Sequence, residues 1–226
     1  MKVILNNTIK MLALAAAMTL ASSASAQSAG QLTVKLGLNQ LTPKVESGDL
    51  SAPALPHTKA DVGSDTKPVL VFAYGLTDNI SVEMPLGLAY KHTLYGAGAI
   101  EGTGKLGTSS VLPATALLQY RFFDPKAKLR PYAGLGATYA YFHKATGSGQ
   151  LSTLLDTGGA PATFKLKNKM AATFQLGVAV AINDSWFADV GVTKTFLKTK
   201  ATFSTGQTQD IKLDPFGIMV SVGYKF

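Results

Sequence analysis

The chain has 226 residues, of which 46% are hydrophobic and 15% charged, with 21 basic against 13 acidic side chains, a formal net charge of +8 and no cysteine. Without cysteine, disulfides, thiol catalysis and thiolate metal sites are excluded. No segment gathers the basic residues into the stripe that a nucleic acid requires, and beyond the N-terminal segment no run of about 18 apolar residues could form a membrane-crossing helix.

Residues 1–26 carry a short basic start (Lys2, Lys10), an apolar run over 11–20, and Ala24, Ser25 and Ala26 before Gln27. This order is that of a secretory signal with a small-residue cleavage site. The apolar run is too short to cross a bilayer of about 30 Å at about 1.5 Å per residue. The reading is therefore a signal peptide at 1–26 and one domain at 27–226, whose formal charge falls to +6 once Lys2 and Lys10 are gone.

The first predicted strand, 31–41, alternates Leu32, Val34, Leu36 and Leu38 with Thr33, Lys35, Gly37 and Asn39. After an aperiodic stretch to Thr66 comes a second strand, 67–76, and then Thr77, Asp78 and Asn79, residues that accept and brace a tight turn. The third strand is expected to turn Ile80, Val82, Met84, Leu86, Leu88 and Tyr90 to one face and Ser81, Glu83, Pro85, Gly87, Ala89 and Lys91 to the other. Strands four and five, 111–122 and 130–143, are joined by a short segment containing Asp124 and Pro125. Strands six and seven, 169–182 and 186–201, are joined by Asn183, Asp184 and Ser185. The last strand puts Phe216, Ile218, Val220, Val222, Tyr224 and Phe226 on one face, with small or polar residues opposite.

Eight strands with connections alternately long and short predict an all-β fold, an eight-stranded antiparallel transmembrane up-and-down β-barrel. The long loops, 43–66, 92–110, 144–168 and 202–212, would lie outside, and both termini on the periplasmic side. Aromatics at the strand ends fit interfacial girdles: Tyr74, Phe122, Trp186, Tyr224 and Phe226 below, and Tyr90, Tyr139, Tyr141, Phe196 and Phe216 above. Lys194 is the exception on the lipid face; it must sit high enough to snorkel, or a bulge must break the alternation. The expected location is the outer membrane of a Gram-negative bacterium, with its lipids and lipopolysaccharide as surroundings, and Phe226 ends the strand that insertion machinery would read.

Inward positions divide into two zones. Lys35, Glu83, Arg121 and Asp189 lie a few residues above the periplasmic ends of their strands, where buried charges should pair into a plug. Above them Val69, Val71, Ala89, Leu117 and several glycines predict an apolar cavity, since eight strands leave no room for a wet pore. Pro85 and Pro113 fall on neighbouring strands and lack the ladder N–H, so they mark either a lateral opening or two structural kinks. His57, His92 and His143 show no metal-ligand spacing, no nucleophile elbow is present, and the Gly-rich stretch 96–107 lacks a phosphate-cradle signature. The chain thus reads as a channel for small hydrophobic solutes, without cofactor, metal or catalytic residues. The alternatives are a barrel whose long loops bind a partner, as an adhesin or receptor, and a lipid-modifying enzyme.

Four segments carry a family likeness: Leu76 to Asn79; Leu112 to Thr115 with Gln119 to Phe122; Arg130 to Gly136; and Asp214 and Pro215 with Gly223 to Phe226. Together they resemble the OmpW family of small outer-membrane barrels, whose members include alkane importers. The resemblance implies passive uptake of small hydrophobic molecules through a narrow barrel, with lateral release into the membrane near Pro113.

Overall fold

In hydrocarbon every backbone N–H and C=O needs a protein partner, so strands that alternate at period two must close on themselves. The computed structural model describes residues 28–226; the expected signal at 1–26 lies outside them. Its strands are β1 (Leu32–Thr42), β2 (Glu46–Ser47), β3 (Thr58–Val62), β4 (Asp65–Gly75), β5 (Ile80–Gly87), β6 (Tyr90–Gly98), β7 (Lys105–Arg121), β8 (Leu129–Gly147), β9 (Phe164–Leu166), β10 (Lys169–Ala181), β11 (Trp186–Thr195), β12 (Lys198–Phe203), β13 (Thr208–Lys212) and β14 (Phe216–Lys225). One short helix, α1 (Gly149–Leu154), follows β8. The order β7-β5-β4-β1-β14-β11-β10-β8 returns to β7 through the β7–β8 pairing, which closes an eight-stranded antiparallel barrel. First and last strands meet from Thr33 opposite Lys225 to Thr42 opposite Phe216.

The outward face is apolar at every height of the barrel. Leu36 is 65% exposed, Leu176 61% and Leu118 53%, a surface that water would not tolerate but lipid matches. Trp186, Tyr224 and Phe226 pack edge to face in sequence at the periplasmic rim, 5.0 and 4.8 Å between centroids. Phe174 and Phe196 do the same at the upper rim, at 5.8 Å. Lys194 occupies the last paired position of β11, opposite Phe216, and its Nζ donates to the Asp214 carbonyl at 2.5 Å. It snorkels, and the alternation there is unbroken.

The short turns are braced by their own side chains. Thr77 Oγ1 accepts from the Ile80 N–H at 2.9 Å, and Asn183 Oδ1 from the Ser185 and Trp186 N–H groups at 3.0 and 2.8 Å. Asn79 Nδ2 reaches across to the Arg121 carbonyl at 2.7 Å, tying the first turn to β7.

Two expectations need correction. The four long loops are largely ordered: β6, β7 and β8 rise above the membrane band, β3 adds to β6, and β2, β13, β12 and β9 form a separate four-stranded sheet. These strands are short and mix polar with apolar residues, so their pairing follows from packing on the apolar clusters beneath them, around Leu197, Ala201 and Ile211 and around Leu151, Leu155 and Phe164. The second correction concerns the third predicted strand, which breaks at Leu88 and Ala89. Beyond the break the faces exchange, so Tyr90, His92 and Leu94 are buried and Lys91 is exposed. A slip of one residue inverts every side chain that follows.

Glycines make room for the two largest inward rings. A Cβ at Gly177 would lie 2.3 Å from the Tyr132 ring and hydroxyl, and one at Gly223 would lie 2.2 Å from the Phe187 ring. Gly177→Ala is therefore expected to cost about 1 to 3 kcal/mol through overpacking, read as a lowered urea midpoint for unfolding from lipid vesicles; an unchanged midpoint would show that Tyr132 has space to retreat.

Candidate functional site: a charged plug beneath an apolar cavity

The lower interior is filled by charge. Lys35 Nζ lies 2.6 Å from Glu83 Oε2 and 3.1 Å from Asp189 Oδ1, with all three side chains essentially inaccessible. Strand pairing brings them together: β1 stands between β4 and β14, and Asp189 on β11 faces Ser221 on β14. Arg121, the fourth predicted charge, donates from Nε to Ser81 Oγ at 3.1 Å and from its terminal nitrogen to Gln119 Oε1 at 2.9 Å. Gln119 continues to Gln175 at 2.6 Å, and Gln175 to Glu83 at 2.9 Å. A hydrogen-bonded chain thus links Arg121 to the ion pairs, as buried charge requires.

Tyr132 is the member that the sequence reading did not single out. It is 1% exposed, donates its hydroxyl to Asp189 at 3.1 Å, and offers its ring to Lys35 and Arg121 at 5.7 and 5.4 Å from the centroid. Its signal was Gly177 and Gly191, two inward glycines on adjacent strands, which together leave a niche of aromatic size.

Above the plug is a cavity of about 140 Å³ with Glu83 and Gln175 in its floor. Cavities of about 150 Å³ lined by apolar side chains stay dry and accept benzene. Val69 and Leu117 line it, whereas Val71 is packed below it against Val69 and Met219. Ala89, expected in the lumen, does not line it; Tyr90 does, as a consequence of the break in the strand. From β7 round to β11 four hydroxyls on neighbouring strands join in series, Thr115 to Thr138 at 2.8 Å, Thr138 to Thr173 at 2.6 Å and Thr173 to Thr195 at 2.9 Å. Each satisfies the next, so this wall does not demand a polar guest.

The remaining wall is incomplete. Pairing between β5 and β7 stops at Glu83 opposite Leu117 and resumes between β6 and β7 at Tyr90 opposite Val111. Residues 84–89 and 112–116 thus face each other without ladder pairs, six against five, which accounts for the slip. Pro85 and Pro113 both lie in this stretch and both line the cavity. So do Leu88 and Leu112, which are also 62% and 39% exposed on the outer face. Leu88 and Leu112 thus belong both to the cavity lining and to the outer face of the barrel.

A second apolar cavity, of about 80 Å³, lies in the extracellular lobe between Leu50, Leu55, Leu155, Phe164 and Phe203. Leu94 and Ile211 line both cavities, so side chains alone divide them. His57 is exposed beside Asp49, His92 holds the Gly63 carbonyl at 2.7 Å through Nδ1, and His143 stacks on Tyr141. Among the described residues no group of three or more His, Cys, Asp or Glu side chains is placed to hold a metal ion.

Replacing Lys35 by Met would leave Glu83 and Asp189 buried without their cation, at an expected cost of about 3 to 5 kcal/mol. Urea unfolding in lipid vesicles at neutral pH measures it, and a loss below 1 kcal/mol would mean that water reaches the plug.

Known proteins resemble this chain along its whole described length. Outer membrane protein W of Salmonella typhi is 32% identical over 95% of this chain and 97% of its own. Outer membrane protein AlkL of Ectopseudomonas oleovorans is 29% identical over 80% of this chain and 76% of its own. The crystal structure of the outer membrane protein OprG from Pseudomonas aeruginosa superposes with a TM-score of 0.80 at 27% identity, covering 90% of this chain and 99% of that one. The OmpW family model matches residues 28–226, so the chain belongs to the OmpW family and is an integral barrel of the Gram-negative outer membrane.

Proposed function

We propose that the protein carries small hydrophobic molecules passively from the outside into the outer membrane, releasing them sideways between β5 and β7. The observation that supports this reading most directly is the unpaired stretch, where Pro85, Leu88, Leu112 and Pro113 belong both to the cavity lining and to the barrel wall. The path runs from the outer cavity past Leu94 and Ile211 to the inner one, and ends above the ion pairs of Lys35. An apolar solute cannot displace that plug, since exposing its charges to a nonpolar guest costs several kcal/mol. The wall beside Leu88 is open to it instead.

No step of this transfer needs a cofactor, a metal or a reacting side chain; the driving force is the gradient of the solute alone. The incomplete wall favours this reading over an anchor for binding loops, because a barrel that only displays loops gains nothing from unpaired backbone in its membrane band.

Proteoliposomes separate the readings. Uptake of an apolar dye or a short alkane is expected above that of empty vesicles, and flux at the empty-vesicle level overturns the channel. Leu117→Trp, which fills the cavity floor, should lower flux several-fold without affecting the plug. The double variant Pro85→Val/Pro113→Val, which restores two ladder donors, should also lower it. Undiminished flux in that variant would place the exit elsewhere while leaving uptake itself intact.

A further inference from the structure

The outward face of β11 continues upward past the barrel into β12 without changing register. Reading up this face, Val190 and Val192 give way to Lys194, Phe196, Lys198 and Lys200, and the buried partners Leu197, Thr199 and Ala201 alternate with them. Phe196 is 52% exposed and packs edge to face on Phe174, so it marks the top of the apolar band. Lys198 stands two residues higher, roughly 7 Å at about 3.3 Å per residue, where outer-leaflet head groups begin. Next to it, β9 adds Lys165 opposite Thr202 and leads into Lys167, whose N–H donates to the Lys200 carbonyl at 3.0 Å.

The anions on this wall do not balance the cations. Lys200 has Asp210 at 3.4 Å, and Lys212 has Glu46 at 2.9 Å. Among the described residues Lys165, Lys167 and Lys198 have no carboxylate within ion-pair distance, although all three are exposed. The wall built by β3 and β6 is closer to balance, since Lys59 and Lys91 stand there with Asp61, and Glu101 follows β6 ahead of Lys105. Basic charge is thus concentrated on one side of the molecule, directly above a lipid-facing surface.

We propose that this wall docks lipopolysaccharide, with Lys165, Lys167, Lys198 and Lys200 holding its phosphates and the Phe174 and Phe196 face holding its acyl chains. The height of the column selects this partner over an ordinary phospholipid. From Lys198 to the level of Lys165 is four residues, or about 13 Å along the strand, which exceeds one glycerophosphate head group and suits a glycolipid with phosphates at several levels. Lysines held near an anionic surface each add attraction that falls away within a Debye length. The wall then fixes which side of the barrel faces bound glycolipid.

The test uses the full chain in neutral detergent micelles, titrated with fluorescent, phosphorylated lipopolysaccharide at low ionic strength. The triple variant Lys167→Gln/Lys198→Gln/Lys200→Gln should bind at least about tenfold more weakly, and the matching Lys→Arg triple should bind as the unaltered chain does. A control triple on other faces, Lys59→Gln/Lys91→Gln/Lys105→Gln, should stay within about twofold. Heat-modified gel mobility verifies that each variant is folded. Equal losses in the two Gln triples overturn the proposal, as does equally tight binding of dephosphorylated lipopolysaccharide or of phosphatidylglycerol by the unaltered chain.

Discussion

The structure depends on the absence of water as a hydrogen-bond partner in the bilayer. Each strand must give both its edges to neighbours, and a set of such strands has no free edge only when the last pairs with the first. The β1–β14 and β7–β8 pairings meet this demand around the ring. Where it is not met, between β5 and β7, the sequence has reduced the number of orphaned groups. Proline has no N–H to leave unsatisfied, so Pro85 and Pro113 are the least costly residues to place beside a gap. The prolines and the unpaired stretch are then one feature: the gap in pairing is tolerable because donors are missing from it.

Closure also fixes what the interior can hold. Eight strands enclose a bore that side chains nearly fill, so a region is either packed or empty in small compartments. The lower half is packed by groups that satisfy each other, with the Lys35 ammonium shared by two carboxylates and Tyr132 set into the space left by Gly177 and Gly191. In the upper half smaller residues leave a cavity where four threonine hydroxyls already bond in series. The boundary between the halves is one side-chain layer, since Glu83 and Gln175 belong to both.

The barrel was legible because lipid imposes the simplest of patterns: wherever a strand meets hydrocarbon, alternation in the sequence is alternation in space. It failed at two places for physical reasons. Above the membrane no solvent constraint forces period two, so β9 and β13, with their mixed faces, were read as loop; their order comes from packing against residues distant in sequence, such as Leu151 and Leu197. At Leu88 and Ala89 the alternation of letters runs on while the chain slips by one, so Ala89 and Tyr90 were assigned to each other's side. Strand-to-strand register is a property of two segments, and it cannot be read from one. The plug residues were legible as charges on an inward face, but Tyr132 was not, because an aromatic among aromatics carries no charge pattern.

On the proposed reading, solute that reaches the cavity leaves sideways above the ion pairs of Lys35, and the energetics permit this without any binding step. Moving an apolar solute out of water yields about 25 cal/mol for each Å² buried, so a solute hiding roughly 200 Å² gains on the order of 5 kcal/mol on reaching the cavity. Hydrocarbon beyond Leu88 and Leu112 offers the same gain, so the cavity lies level with the membrane and presents no trap. A cavity with polar groups unsatisfied would have bound water and raised a barrier on the inward side, while one with strong contacts to the solute would have raised a barrier on the outward side. The threonine series, bonded within itself, and a largely apolar lining keep both low; Ser109 Oγ, buried without a hydrogen-bond partner, is the exception. On the proposed reading the protein's work is to remove the polar head-group layer from the solute's path, and a largely apolar compartment of modest size beside an unpaired stretch of wall is sufficient to do it.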